Sequence, residues 1–575
     1  MPQTRAKTLK EAKDIFEELT NGPHREIDIV CLPPEAGVCS DTEDIDENDL
    51  RPQMPKDVAG DLDVCYETES ETEEVPAPKR KKGVVLRPEV NWQPDESAFV
   101  SFPEQTGGTP RKLADEHPEL ISKTPLEFFK MYFDDAVATH IITESERYAK
   151  QNNADFQLPM RDLFLFIGIL LYSGIVQLPT TRHFWMRSAL FSFPAVSSKM
   201  SCKRFEKIKR YFHLADNDHL DPEDKMAKVN PFFTLLKEKL LQFGIFDPFL
   251  SVDEEMIPYF GHHSCKMFMR GKPCRFGYKL WVLCGSRGYP YMFYAYTGKD
   301  ATGKEVAESA KPLGSRVVLN LLSVVKCPDA HCVFFDNFFT SYALLEEMRA
   351  LGFRATGTAR ENRLKKCPFP DNKKFKKTER GSHAAYSTAN VVAVKWHDNT
   401  AVCLASNYDT VAPLGKAKRW SRAAKKKILI DQPQMISNYN KHMGGVDLCD
   451  RFISNFRPML RSKKWWWPLF SNSIAMIAVA AWRVHCEVGG KLTQIEFLSQ
   501  LVEELLMCDA APITTATGPS TPISDAARYD SCGHIQEKCK RGRCKLCKGN
   551  SAWQKCSKCN VKLHKDCFMK FHMRA

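Results

Sequence analysis

Phe249-Leu250-Ser251-Val252-Asp253-Glu254-Glu255 reads as an apolar strand running into three consecutive carboxylates, and Cys332-Val333-Phe334-Phe335-Asp336-Asn337 as a second strand that delivers one acid at its end. An unpaired carboxylate at the end of a buried strand is costly to desolvate. Convergence of several on a hard cation such as Mg²⁺ removes that cost. A third stretch, Met443-Gly444-Gly445-Val446-Asp447-Leu448-Cys449-Asp450, places Asp447 and Asp450 on one face if it is helical. Two cations about 3.5–4 Å apart would activate an attacking oxygen and stabilise a leaving one in phosphodiester transfer. Taken singly, each Asp reads more simply as a helix cap or the partner of a neighbouring Lys or Arg. Taken as strand-Asp, strand-Asp and helix-Asp with basic flanks, the three favour a metal site.

Outward from these stretches, the 575 residues predict three or four structural units. A hydrophobic content of 43% with 11% aromatics excludes disorder throughout. Residues 1–115 are acidic and Pro-rich and read as a disordered tail, with Lys79-Arg80-Lys81-Lys82 as a possible nuclear import signal and Ser70 and Thr72 as polar tail among glutamates. Helical texture begins at Thr124, a candidate N-cap before Pro125, and continues through Met160–Ser173, Cys202–Phe212 and Pro231–Phe243. Short β-branched and aromatic runs follow at Phe249–Ile257, Tyr278–Cys284, Tyr289–Tyr296 and Cys332–Asp336, with helical candidates at Ser315–Val325 and Ser341–Leu351 between or after them. That order indicates a mixed α/β sheet. A basic, partly strand-like insert then interrupts it, and helices return from Gln434 to Leu506. The most apolar run, Ile474–Trp482, is too short for a membrane span, and the charged N-terminus lacks the apolar core of a signal peptide. Membrane insertion and secretion are therefore not expected, and the 21 cysteines read as thiols and metal ligands.

The net charge of +12 conceals an asymmetry. Residues 41–75 hold fourteen acids against two bases, residues 363–427 sixteen bases against four acids, and residues 530–575 twelve bases against three. Localised positive charge of this size points to a polyanion, nucleic acid above all.

The last basic segment also carries Cys544-x₂-Cys547, Cys556-x₂-Cys559, His564-x₂-Cys567 and then His572. Ligands two residues apart fit a tight turn that presents both to one tetrahedral Zn²⁺. Three successive pairs exceed the need of one ion, so the spacing predicts two Zn²⁺ in an interleaved cross-brace like that of PHD or RING modules. Cys544, Cys547, His564 and Cys567 then share one ion. Cys556, Cys559 and His572 share the other, which needs a fourth ligand.

Asp253-Glu254-Glu255-Met256, Asp336-Asn337-Phe338-Phe339-Thr340-Ser341, and Asn440 followed by Met443-Gly444-Gly445-Val446-Asp447 with Asp450 resemble the piggyBac transposase family. Arg270-Gly271-Lys272-Pro273-Cys274-Arg275-Phe276-Gly277-Tyr278-Lys279 resembles vertebrate piggyBac-derived proteins, and counts Lys272 and Lys279 among the DNA-binding candidates. The resemblance spans roughly residues 120–575. It implies an α/β multidomain chain: a ribonuclease-H-like core of DDE/D type, a basic insertion domain, a surrounding helical DNA-binding and dimerisation domain, and a C-terminal cross-brace zinc finger. The expected boundaries are 116–248 and 458–510 for the helical domain, 249–364 and 433–457 for the core, 365–432 for the insertion, 511–529 for a linker and 530–575 for the zinc module. Asp253, Asp336 and Asp447 match the family's catalytic triad for Mg²⁺ or Mn²⁺, and Asp450 its additional essential acid. His534 matches an upstream histidine and is preferred over Cys532 and Cys539 as the fourth ligand. In Lys463-Lys464-Trp465-Trp466-Trp467-Pro468, either Trp465 or Trp467 offers the family's hairpin-supporting tryptophan; a core role is the simpler reading of both. Lys425, Lys426 and Lys427, at the end of the insert, are further DNA-binding candidates.

The implied activity is cut-and-paste DNA transposition through hairpin intermediates at TTAA sites, by a nuclear homodimer acting on double-stranded terminal repeats. The alternative is a domesticated nuclear DNA-binding protein that keeps the fold without catalysis. A chromatin reader built around the zinc module is a third reading, and it leaves the acids unexplained.

Overall fold

The computed structural model describes residues 90–102, 112–186, 188, 191–259, 261, 263, 265–268, 274, 276–298, 311–421, 425–507, 528–531 and 533–573, with three short strands nearer the N-terminus. Those three, β1 (Gln3–Ala6), β2 (Ile27–Cys31) and β3 (Leu62–Tyr66), pair antiparallel in the order β1-β3-β2, inside the segment expected as tail. The basic run 79–82, Ser70, Thr72 and most of the expected linker lie outside the described residues.

The chain divides into two compact units, residues 1–181 with 203–511 and residues 182–202 with 512–575. The first is built on a ten-stranded mixed sheet. Its strands are β4 (Gln93–Pro94), β5 (Phe249–Pro258), β6 (Met267–Phe268), β7 (Phe276–Gly285), β8 (Pro290–Ala295), β9 (Cys332–Phe335), β10 (Arg354–Thr358), β11 (His383–Ser387), β12 (Val392–His397) and β13 (Ala401–Ser406). Their order is β4-β11-β12-β13-β10-β9-β5-β7-β6, with β8 on β7. β5, β9 and β10 run parallel and the other pairs are antiparallel. Parallel neighbours need a crossover, and the Tyr342–Ala350 helix supplies the one between β9 and β10. β7 is buried along all ten residues, Lys279 included, as fits a strand covered on both faces.

Within the basic segment, β11, β12 and β13 continue the large sheet beyond β10. Only β14 (Gly415–Ser421) and β15 (Lys426–Gln432) leave it, as a separate antiparallel pair. The expected tail ends earlier, because β4 pairs with β11 and Trp92 packs edge-on against Tyr342.

Helices from both sides of the sheet in sequence form one layer. Pro125–Lys130, Met160–Ile175, Trp467–Glu487 and Gln494–Met507 pack together. Thr124 caps the first in a capping box with Glu127, and its hydroxyl donates to Glu504 at 2.9 Å. Trp467–Glu487 is long and apolar enough to cross a bilayer, a length that the run at Ile474–Trp482 conceals. With 78% of its apolar window buried, it packs as a core helix. The buried Ser471, Asn472 and Ser473 break the apolar run in the sequence.

In the second unit, β16 (Gln536–Gly542), β17 (Ala552–Cys556) and β18 (Lys562–Leu563) form an antiparallel sheet, followed by the Lys565–His572 helix. A small core of Ala552, Val561, Leu563, Phe568 and Phe571 forms around Cys544 and Cys556.

Candidate functional site

β5 and β9 are in parallel register with Val252 opposite Phe335, so the next residues, Asp253 and Asp336, leave the pair side by side. Asp447 sits in the first turn of the Gly445–Asn455 helix, where the dipole favours a carboxylate. That helix packs on β5 and β7, and glycine makes the approach possible. A Cβ on Gly445 would lie 2.4 Å from the Gly285 carbonyl oxygen and 2.5 Å from Ser251 Oγ. The preceding helix, Gln434–His442, brings up Tyr439, whose hydroxyl lies 3.4 Å from Thr358 Oγ1. Burial pushes that hydroxyl well above its ordinary range; Thr358 draws it back, and the charges of Asp336, Asp253 and Asp447 each push it further up. One phenol thus feels all three acids. Asp253 Oδ1 also accepts from the Glu254 N–H at 2.8 Å, and Asp336 Oδ1 from the Phe338 N–H at 2.9 Å. Asp253 and Asp336 are thus each held by local backbone. Among the described residues, the groups of three or more potential ligands with all atoms within 4.8 Å of one another are in the C-terminal module, and the acids do not form one that tight. Their donor set is hard oxygen, suited to Mg²⁺ or Mn²⁺.

Asp450 belongs to a different set of contacts. Its carboxylate accepts from Arg457 Nη2 at 3.1 Å, and Arg457 Nη1 donates to Asn472 Oδ1 at 2.6 Å. Asn472 Nδ2 donates to Glu255 Oε1 at 2.7 Å. Burial pushes the Glu255 carboxyl up to about 7, and the Asp450 charge adds to this, while Asn472 and Arg457 oppose it. The chain Asp450–Arg457–Asn472–Glu255 joins the helix bearing Asp447 to the strand bearing Asp253. The sequence showed Glu255 only as one of three acids in a row; its alternation with Asp253 along β5 was the available signal.

The DNA-binding candidates separate. Lys272 lies outside the described residues. Lys279 is a correction: it is buried within β7, 3.8 Å from Glu254 Oε2, with its ammonium 3.8 Å from the Trp281 ring centroid, and it offers no charge to a phosphate in this conformation. Trp465 and Trp467 are also buried, in keeping with a core role. Trp465 stacks on His263 with ring centroids 3.9 Å apart, and Trp467 donates through Nε1 to the Leu460 carbonyl at 2.7 Å between Phe166, Phe212 and Phe470. Lys464 is structural too. Its ammonium donates to the carbonyls of Lys209, Arg210 and Phe212 at 3.0, 2.9 and 2.5 Å, closing the end of the Cys202–Tyr211 helix. Lys425, Lys426 and Lys427 are exposed at the start of β15.

In the second unit, His534, Cys556, Cys559 and His572 form one group of mutually close ligand atoms, and Cys544, Cys547, His564 and Cys567 the other. The structure therefore groups the eight residues in the interleaved order, with His534 in the fourth position. Histidine Nδ1 faces sulfur in both: His534 lies 3.3 Å from Cys556 Sγ, and His564 lies 3.2 Å from Cys547 Sγ. The opposite nitrogens are held by Asp530 and Ser551, each at 3.1 Å, as outer-shell partners orient metal-bound histidines. His572 Nδ1 faces the Phe568 carbonyl at 3.1 Å, while its buried Nε2 has no hydrogen-bond partner among the described residues, as a nitrogen reserved for a metal would. Against partial desolvation, the backbone N–H groups of Cys547, His564 and Leu546 draw the Cys544 thiol down to about 6, toward the thiolate that binds metal. The donors fit Zn²⁺.

Comparison with known proteins first sets the class: a family model described as Transposase IS4 matches residues 124–482. The human PiggyBac transposable element-derived protein 3 is 34% identical over 459 residues, 79% of this chain and 77% of that protein. The human PiggyBac transposable element-derived protein 2 is 31% identical over 562 residues, 95% and 93% of the two chains. The chain belongs to the piggyBac transposase family. A cryo-EM structure of a piggyBac transposase synaptic complex with hairpin DNA shares the fold, with a TM-score of 0.58 and 19% identity over 78% of this chain and 96% of that one.

Proposed function

We propose that this protein is a DNA transposase of piggyBac type, cutting and joining DNA through hairpin ends at TTAA sites with a ribonuclease-H-like core. The observation that supports the reading is the strand register that sets Asp253 beside Asp336, with the charges of both and of Asp447 felt at the Tyr439 hydroxyl. Mg²⁺ or Mn²⁺ held by these three acids would supply activation of the attacking oxygen and stabilisation of the leaving one. The chain's own part is to position the three carboxylates: Asp253 and Asp336 by strand register and local amides, Asp447 in the first turn of its helix. Asp450, tied to Arg457, sets the helix that carries Asp447. Two Zn²⁺ held by the eight C-terminal ligands would fold a basic module for the terminal repeats, and nuclear action on double-stranded DNA as a homodimer follows from the same reading. PHD-like spacing also suits a chromatin partner for that module, and nuclear import factors would read the basic runs.

A second reading has its own support: the human relatives are named as transposable element-derived proteins. On that reading the chain is a domesticated nuclear DNA-binding protein without catalysis. An excision assay with the element's own ends decides between them. Asp253→Asn, Asp336→Asn and Asp447→Asn should each abolish cleavage while DNA binding persists, because an amide keeps the shape and loses the charge. Wild-type protein that binds the ends without cutting them would favour the domesticated reading.

A further inference from the structure

Of the ten tryptophans, eight are buried, and the two in water are Trp420, 58% exposed, and Trp553 in the second unit, 60% exposed. Trp420 lies on the β14–β15 hairpin, whose two faces differ sharply. On the inner face Ala417 and Ile430 enter a core with Val392, Val394 and Trp396. Trp396 Nε1 donates to the Asp431 carbonyl at 2.8 Å, Arg419 Nε to Asp398 at 2.8 Å, and Arg380 Nη1 to the Trp420 carbonyl at 3.0 Å. The hairpin is therefore fixed to the sheet from beneath, at the side chains of one face and at its backbone.

Among the described residues, the outer face has no such cover. The register sets Lys418 opposite Leu429 and Trp420 opposite Lys427, so these four side chains share it. Leu429 is 60% exposed and is the diagonal neighbour of Trp420, within reach across an antiparallel pair. The acid on this face, Asp431, is ion-paired with Lys416. What remains is an indole and an isobutyl group framed by lysines, with Lys425 and Lys426 at the adjacent turn. Scattered apolar side chains on a surface need no explanation, but an anchored face that pairs an indole with lysines is the composition that binds single-stranded nucleic acid: ammonium groups follow the phosphates and the ring stacks on a base. In the interior of a duplex every base face is already stacked, so away from the duplex ends the ring gains a partner only where a strand is unpaired.

We propose that the outer face of the β14–β15 hairpin binds an unpaired stretch of DNA strand, with Trp420 stacking on a base and Lys418 and Lys427 contacting the flanking phosphates. This deepens the reading of the protein as one that acts on DNA ends, and rests on it.

The test uses the full chain and fluorescence anisotropy with two DNAs, a fully paired duplex and the same duplex carrying an unpaired tail. Wild-type protein should bind the tailed DNA more tightly. Trp420→Ala and Trp420→Leu should lose that gain, roughly 5- to 150-fold, with duplex affinity unchanged, while Trp420→Phe retains most of it. Equal gains in wild type and Trp420→Ala would overturn the assignment, as would a Trp420→Leu protein that keeps the full gain, since leucine preserves apolar area without a ring. Light scattering that shows a wild-type oligomer broken by Trp420→Ala, with both DNA affinities intact, would make the face an interface between copies of the chain and overturn it equally. If wild type binds neither DNA, the reading of the whole protein fails. If it binds the duplex normally and only the tail effect is missing, this face alone has been misassigned.

Discussion

Replacing Glu255 by Gln isolates one buried charge beside the acid site. The Glu255 carboxyl is displaced from 4.5 to about 7, chiefly because it is removed from water and then because Asp450 lies near. A folded-state value above the unfolded one means that the folded protein holds the proton more tightly. The stabilisation is fully present below pH 4.5 and is lost as pH rises through about 7. At about 1.36 kcal/mol per pH unit the displacement corresponds to roughly 3 kcal/mol. The side chain is only 2% exposed, so solvent screening takes little from this figure. Glutamine keeps an oxygen to accept from Asn472 Nδ2 and cannot ionise. The melting temperatures of wild type and Glu255→Gln, measured in chelator from pH 4.5 to 8, should therefore diverge, the variant gaining on wild type as pH rises. The difference between variants is the useful quantity, because a chain of two compact units need not melt in one step. Parallel curves across the range would refute the argument that Glu255 ionises in an unfavourable, desolvated environment.

Other outcomes follow from the same structure. Metal analysis of purified protein should find two zinc ions per chain, and Cys556→Ser should unfold the C-terminal module while the core keeps its melting transition, because so small a core depends on its metal; one ion or none would contradict the two ligand groups. Lys464→Met should destabilise the core unit by roughly 3 kcal/mol or more, since each buried acceptor stripped of its donor costs about 1–3 kcal/mol and Lys464 serves three carbonyls; an unchanged denaturation midpoint would show that other donors replace it. Replacing Lys425, Lys426 and Lys427 with Gln should weaken binding to all duplex sequences alike and flatten the salt dependence by up to about 0.9 for each phosphate no longer neutralised. An unchanged slope with altered cellular distribution would assign them to nuclear import.

The features legible in the sequence were local ones. A strand that ends in Asp336, a glycine pair before Asp447 and cysteines two residues apart are set by neighbours along the chain, and turn geometry carries them into the structure nearly unaltered. Even the interleaving that sets Cys556, Cys559 and His572 around the second cluster was readable, because three close-spaced pairs leave few ways to share two ions; the fourth ligand, His534, came from the family resemblance and not from spacing. The fate of long side chains was not readable in this way. Lys279, Lys464, Trp465 and Trp467 occur in basic, aromatic stretches that suit a DNA surface equally well, and only packing shows them occupied by Glu254, three carbonyls, His263 and a phenylalanine cluster. Nor could the sequence place β11 to β13 on the β10 edge, or link Glu255 to Asp450 through Asn472 and Arg457, which lie 217 and 202 positions away from Glu255. Burial and long-range pairing depend on which surfaces meet after the chain has folded back on itself, and no periodicity along the chain encodes that meeting.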